Sequence, residues 1–260
     1  MVPIVARRLN SERISVLAWP RAILMQMAHP LIAAGVARHS TFRGGAGSAA
    51  KRAHGTISAM LNLTFGDDVA REATLEHIRS IHRRVNGTLT EPAGLFPAGT
   101  IYSAENPELL LWVHATLLDS IPDIYSKVIA PLSPADLDAF CRESSSTLVA
   151  LGGDPARAPQ SWSELRRYMS AMLESGVLQV TPEGHEIAEA VLTPRIARFP
   201  APGAGMHRLL TIGLLPPALR ERYGFPWTER DQRRYERLLR MVRRVRRFTP
   251  GPLAKFRAVG

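Results

Sequence analysis

DDVAREATLEHIRSIHRRVNG, residues 67–87, reads as one helix with a histidine set into its apolar face. Leu75, Ile78, His82 and Val85 recur at spacings of three and four, so they share one stripe. Asp67 is placed to cap the start, Glu72 lies in an early turn, Arg83 and Arg84 crowd the end, and Gly87 supplies a left-handed stop. A histidine on a buried stripe has two ring nitrogens to satisfy away from water. Ligation of a metal or haem iron, a hydrogen bond to a core carbonyl, and a cation favoured at the helix C-terminus are the three ways open to it.

The segments on either side keep the same helical period. Residues 1–19 read as a short lead-in helix ended by Trp19-Pro20. Arg21 to Ala37 is strongly apolar, and Pro30 inside it predicts two helical pieces with a break near His29. The glycine-rich bend Arg43–Gly47 lacks the Lys-Ser/Thr ending of a phosphate-binding loop and has no strand before it. Ser48–Phe65 reads as a further helix ended by Gly66, with Ile57, Met60, Leu61 and Phe65 on its apolar face. After Gly87 a Pro/Gly-rich link leads to Tyr102.

Asn106-Pro107-Glu108 is a helix start, with a cap residue, proline at the first position and an acid beside it. The helix it opens, LLLWVHATLLDSI, is apolar on nearly all sides, which places it at the centre of the fold. His114 lies in its middle and needs a partner, either a cofactor or substrate or a neighbouring carbonyl or hydroxyl. Ser133, Ser161, Thr181 and Thr228 each open one of the later helices, and residues 193–205 read as a long loop. No segment keeps the two-residue alternation of a strand with hairpin turn chemistry, and no linker divides the chain. The expectation is an all-α fold, one globular multi-helix domain over 1–260, with a basic C-terminal helix at about 228–248.

That helix holds nine arginines between Arg230 and Arg247, in a chain of net charge +10, so anionic partners have to be considered. Leu238, Met241 or Val242, and Val245 read as its core-facing stripe, with arginines covering the rest. A solvated face is the favoured reading and contact with anionic lipid headgroups or nucleic acid the alternative; no recognised nucleic-acid fold accompanies the arginines. The single cysteine, Cys141, excludes a disulfide within the chain and a Cys-rich zinc site. Ile14–Trp19 is too short and polar for a signal core, and Leu109–Leu118, interrupted by His114, is about half a membrane span. These point to a cytoplasmic protein, at most peripheral to the membrane.

Four segments together carry a resemblance: HPLIAAGVARHS (residues 29–40), RAHGT (52–56), IRSIHRRVNG (78–87) and YSAENPELLLWVHATL (102–117). In combination they resemble the MpaB-type oxygenases, a group related to the bacterial latex-clearing proteins, over about His29 to Trp227. The resemblance implies an all-α, partly globin-like fold holding a b-type haem, and oxidative cleavage of carbon-carbon double bonds in isoprenoid chains by some members. It places the iron-ligating histidine on His82 with Arg79 shortly before it, and an accompanying arginine and threonine on Arg52 and Thr56. Where the latex-clearing enzymes carry a lysine before that threonine, this chain has Gly55.

The function implied is a haem-dependent oxygenase that uses molecular oxygen on a hydrophobic, unsaturated, isoprenoid-like small molecule or polymer. His82 would hold the iron of haem b, Arg52, Thr56 and Arg79 would help bind the cofactor, and His114 and Arg79 would act in catalysis. A non-catalytic haem- or lipid-binding helical protein is the alternative.

Overall fold

The computed structural model describes residues 3–39, 46–196, 199–200 and 203–256, with the backbone alone for 46–54, 195–196 and 199–200. Residues 43–45 of the glycine-rich bend and the side chain of Arg52 therefore lie outside the described residues.

Asn106 opens the helix on which the others are laid. Its side chain accepts from the Glu108 N–H, Pro107 stands where no donor is needed, and α6 runs from Pro107 to Val128. The sequence predicts it over 109–121; it continues through the buried Pro122. Helices α1 (Ile4–Ser11), α2 (Ala18–Met27), α7 (Pro134–Ala150), α8 (Trp162–Glu174) and α12 (Glu229–Phe248) pack against it. Leu9, Leu24, Met25, Trp112, Phe140 and Leu165 lie in the main core this creates. The fold is all-α, with thirteen α-helices among the described residues.

The break expected near His29 is present, between α2 and α3 (Pro30–His39). It frees the Met25 carbonyl, to which the Trp112 indole donates at 3.2 Å, and the Tyr223 hydroxyl adds a 2.6 Å bond to the Leu24 carbonyl, which also accepts from the Ala28 N–H. His29 caps α3, its Nδ1 accepting from the Leu31 N–H at 3.3 Å.

Trp19-Pro20 does not end the lead-in helix. Instead α1 stops at Ser11, a 3-10 turn spans Arg13–Leu17, and Pro20 sits in the first turn of α2, where its missing N–H costs nothing. Gly87 is not a left-handed stop either. Helix α5 (Asp68–His82) ends with Arg83 still in right-handed geometry, and Gly87 lies in β1 (Asn86–Thr88), paired antiparallel with β2 (Ile101–Ser103). Glycine is needed there for space, since a Cβ would come within 2.5 Å of the Tyr102 hydroxyl. The 193–205 link likewise holds a second small pairing, β3 (Arg195–Ile196) with β4 (Phe199–Pro200). Both hairpins are too short for an alternating pattern to show in the sequence.

Ser133 and Thr228 form full capping boxes. Ser161 caps the Glu164 N–H, but the Glu164 carboxylate takes the N–H of Gln160 instead of returning to Ser161. The remaining helices are α4 (Ala46–Phe65), α9 (Pro182–Leu192), α10 (Ala204–Leu214), α11 (Pro217–Arg222) and α13 (Gly251–Ala254). On α12, Tyr235 and Leu238 are buried and Val242 is half-buried, but Val245 points out. The inward position one turn beyond Val242 is taken by Arg246, which forms two 2.7 Å bonds with the buried Glu12. Among the described residues no helix is long and apolar enough to cross a membrane.

Candidate functional site

Asp67 accepts from the Ala70 N–H, as expected of the cap, and α5 then brings His82 to its last residue. Leu75 is buried, while Ile78, His82 and Val85 are half-buried, so the stripe emerges toward the helix end. The Nδ1 of His82 is buried and has no hydrogen-bond partner among the described residues. Burial lowers the pKa of His82, and the nearby Glu105 carboxylate only partly opposes this. The imidazole is therefore held toward its neutral form, the form that ligates metals. Glu105 stands just ahead of the Asn106 cap, which places the His82 end of α5 beside the start of α6.

His114 lies two turns into α6. Between Leu109 and Ser120 only Val113, His114 and Leu117 escape full burial, and their spacing puts them on one face. His114 is half-buried, and its Nε2 is buried with no partner among the described residues. Burial lowers its pKa to about 4. An unpartnered polar atom in a folded interior costs stability, which makes both histidines candidates to meet a group from outside the chain.

Arg79 makes three hydrogen bonds. Its Nε donates to Glu76 at 3.0 Å, and its two terminal nitrogens donate to Glu72 at 2.5 Å and to the Ala150 carbonyl at 3.0 Å. Arg83 adds a 2.7 Å bond to Glu76. These bonds fasten α5 to the end of α7. Position 52 and Thr56 stand one turn apart on α4; Thr56 is exposed, and a Cβ at Gly55 would meet nothing within 4 Å.

Two features near these histidines are not singled out by sequence reasoning. One is His29, buried at the α2–α3 break, with its pKa lowered to about 4 by burial and its ring 5.6 Å from that of Phe96. The other is a buried ion cluster. Asp119 on α6 accepts from Arg21 at 2.6 Å and from Arg166 at 2.7 Å, while Arg21 also donates to Ser120 and to the Leu214 carbonyl. Burial alone would raise the Asp119 pKa, but the charges and hydrogen bonds of the two arginines bring it below the usual carboxylate range. The signal was present as two opposite charges, each alone in an apolar run.

Among the described residues no group of three or more His, Cys, Asp and Glu side chains could hold a metal ion. The side chains that fit a cofactor are single histidines, one at the end of α5 and one within α6. This defines the class: an all-α domain with imidazoles on α5 and on the central α6 whose buried nitrogens have no partner among the described residues. The chain belongs to the family described as ER-bound oxygenase mpaB/B'/Rubber oxygenase, catalytic domain, which it matches over residues 6–244. It is also similar to the uncharacterized protein Mb2261 of Mycobacterium bovis and the uncharacterized protein Rv2237 of Mycobacterium tuberculosis. Each is 26% identical over 231 residues, covering 88% of this chain and 87% of the relative. No solved structure shows a significant match. The family is an oxygenase catalytic domain.

Proposed function

We propose that the chain is a single-domain, haem-dependent oxygenase acting on a hydrophobic, unsaturated, isoprenoid-like substrate, with His82 as the protein ligand to the iron. The observation that carries the reading is the buried, unpartnered ring nitrogen of a neutral His82. A porphyrin brings four nitrogen ligands of its own, so one histidine suffices where no multi-residue metal cluster is formed. Bound haem would supply the activation of molecular oxygen.

The protein's own part is positioning and exclusion of water. Arg79 acts as a positioning residue, holding the turn of α5 that carries His82 through Glu72, Glu76 and the Ala150 carbonyl. Val113, His114 and Leu117 offer an apolar wall with one polar point, suited to orienting an apolar chain. Arg52 and Thr56, from the family resemblance, would contribute on α4.

The test is the visible spectrum of protein expressed with adequate haem, compared with His82→Ala, followed by product analysis on a panel of isoprenoids. The expected result is a Soret band that His82→Ala removes or greatly weakens while the helical circular dichroism persists. Unchanged haem content in that variant would move the ligand to His114, and haem without turnover would favour a binding protein.

A further inference from the structure

The second half of α12 presents a surface that neither the core nor the proposed site uses. Met241, Val245 and Phe248 follow one another at steps of four and three, so they form a line along the helix, and all three are exposed, Phe248 by 73%. Leu253 of α13 extends the line and shares a cleft with Val245, Phe248 and Arg244. A contiguous apolar line differs from the scattered apolar residues that any surface carries, because its hydration is costly in one place.

The charges beside it are unopposed. From Arg237 to Lys255 the sequence contains no acidic residue. Arg233 and Arg234 pair with Glu229 and Asp231, and Arg246 pairs with Glu12. Among the described residues Arg240, Arg243, Arg244 and Arg247 have no carboxylate partner. The surface is also fixed in place. Arg246 ties α12 to Glu12, Ala254 is buried, and the Phe256 N–H donates to the Ser11 carbonyl at 2.8 Å. The family match ends at residue 244, so Val245, Phe248 and Leu253 lie beyond the matched stretch.

We propose that this face docks on an anionic phospholipid bilayer. Phe248, Val245, Met241 and Leu253 enter the boundary between headgroups and acyl chains, and Arg240, Arg244 and Arg247, which flank that line, meet lipid phosphates. Charge complementarity selects this occupant. A second copy would set arginine against arginine, and a nucleic acid would take the arginines but leave the apolar line without a partner. A bilayer satisfies both halves of the surface. The inference does not depend on haem.

The experiment is co-sedimentation of the full chain with vesicles of phosphatidylcholine alone and of phosphatidylcholine with phosphatidylglycerol. Three proteins are compared: wild type, Val245→Ser/Phe248→Ser, and Arg240→Gln/Arg244→Gln/Arg247→Gln. All the substituted side chains are exposed, so melting temperatures should match. Wild type should bind the phosphatidylglycerol vesicles, weakly or not at all the neutral ones, and less as salt rises. The arginine variant should lose roughly a hundredfold in affinity, taking the usual contribution of each basic residue near an anionic surface. The apolar variant should lose about tenfold. Absence of wild-type binding, equal binding to neutral vesicles, or unchanged binding of the apolar variant would overturn the proposal. So would duplex DNA binding as tight as vesicle binding, or self-association abolished by Phe248→Ser.

Discussion

Replacing Asp119 by leucine removes the only carboxylate paired with the Arg21 guanidinium among the described residues. Arg21 is 5% exposed and cannot turn to water, and what remains to it is the Ser120 hydroxyl at 2.5 Å and the Leu214 carbonyl at 2.8 Å. Arg166, whose side chain is 54% exposed, can swing outward. The cost of Asp119→Leu is therefore that of one uncompensated buried cation, about 3–5 kcal/mol. The companion Arg21→Met/Asp119→Leu removes both charges and should recover most of it. It still strands the Leu214 carbonyl, because Pro216 and Pro217 follow α10 and supply no N–H, so about 1–3 kcal/mol should remain lost. Urea unfolding followed by circular dichroism measures both. Linkage adds a second readout. The folded pKa of Asp119 is depressed, so its stabilisation is present above the ordinary carboxylate range and is lost as pH falls through the lower folded value. The double variant should lack that part of the acid-side loss. A double variant as unstable as the single one, or a single variant costing under about 1 kcal/mol, would refute the reasoning.

Three further outcomes are expected. His114→Leu fills the same space and removes an unpartnered nitrogen, so the melting temperature should hold or rise while turnover or product distribution changes; a lower melting temperature with normal activity per folded molecule would end the pocket reading. His29 has a folded pKa of about 4 against an ordinary value of 6.5, so its contribution is present above pH 6.5 and lost as pH falls toward 4; His29→Asn, which can still cap α3, should flatten the stability-pH slope in that window by up to about 1.4 kcal/mol per pH unit, measured by urea unfolding across pH. Gly55→Ala, on an exposed turn of α4 with open space at its Cβ, should stabilise by roughly 0.5–1 kcal/mol in thermal melts.

How far the sequence could be read follows from the range of the interactions involved. Helix starts at Asp67, Asn106, Ser133 and Thr228 depend on a side chain reaching an N–H two or three residues on, and all four form. The failures involve partners far along the chain. Gly87 looks like a stop because glycine commonly ends helices, but its lack of a side chain is used by Tyr102 across a hairpin. Val245 looks core-facing because it continues the spacing of Leu238 and Met241, yet Arg246 turns inward for the sake of Glu12, 234 residues earlier. The same limit applies to the histidines. Periodicity identifies His82 and His114 as lying on helices that pack, but only the fold distinguishes a buried histidine with a partner, such as His29 with the Leu31 N–H, from one without. That distinction matters most for function: satisfied histidines are explained by the structure itself, and among the described residues the two with a buried, unpartnered nitrogen lie on the helix ending at His82 and on the helix that Asn106 opens.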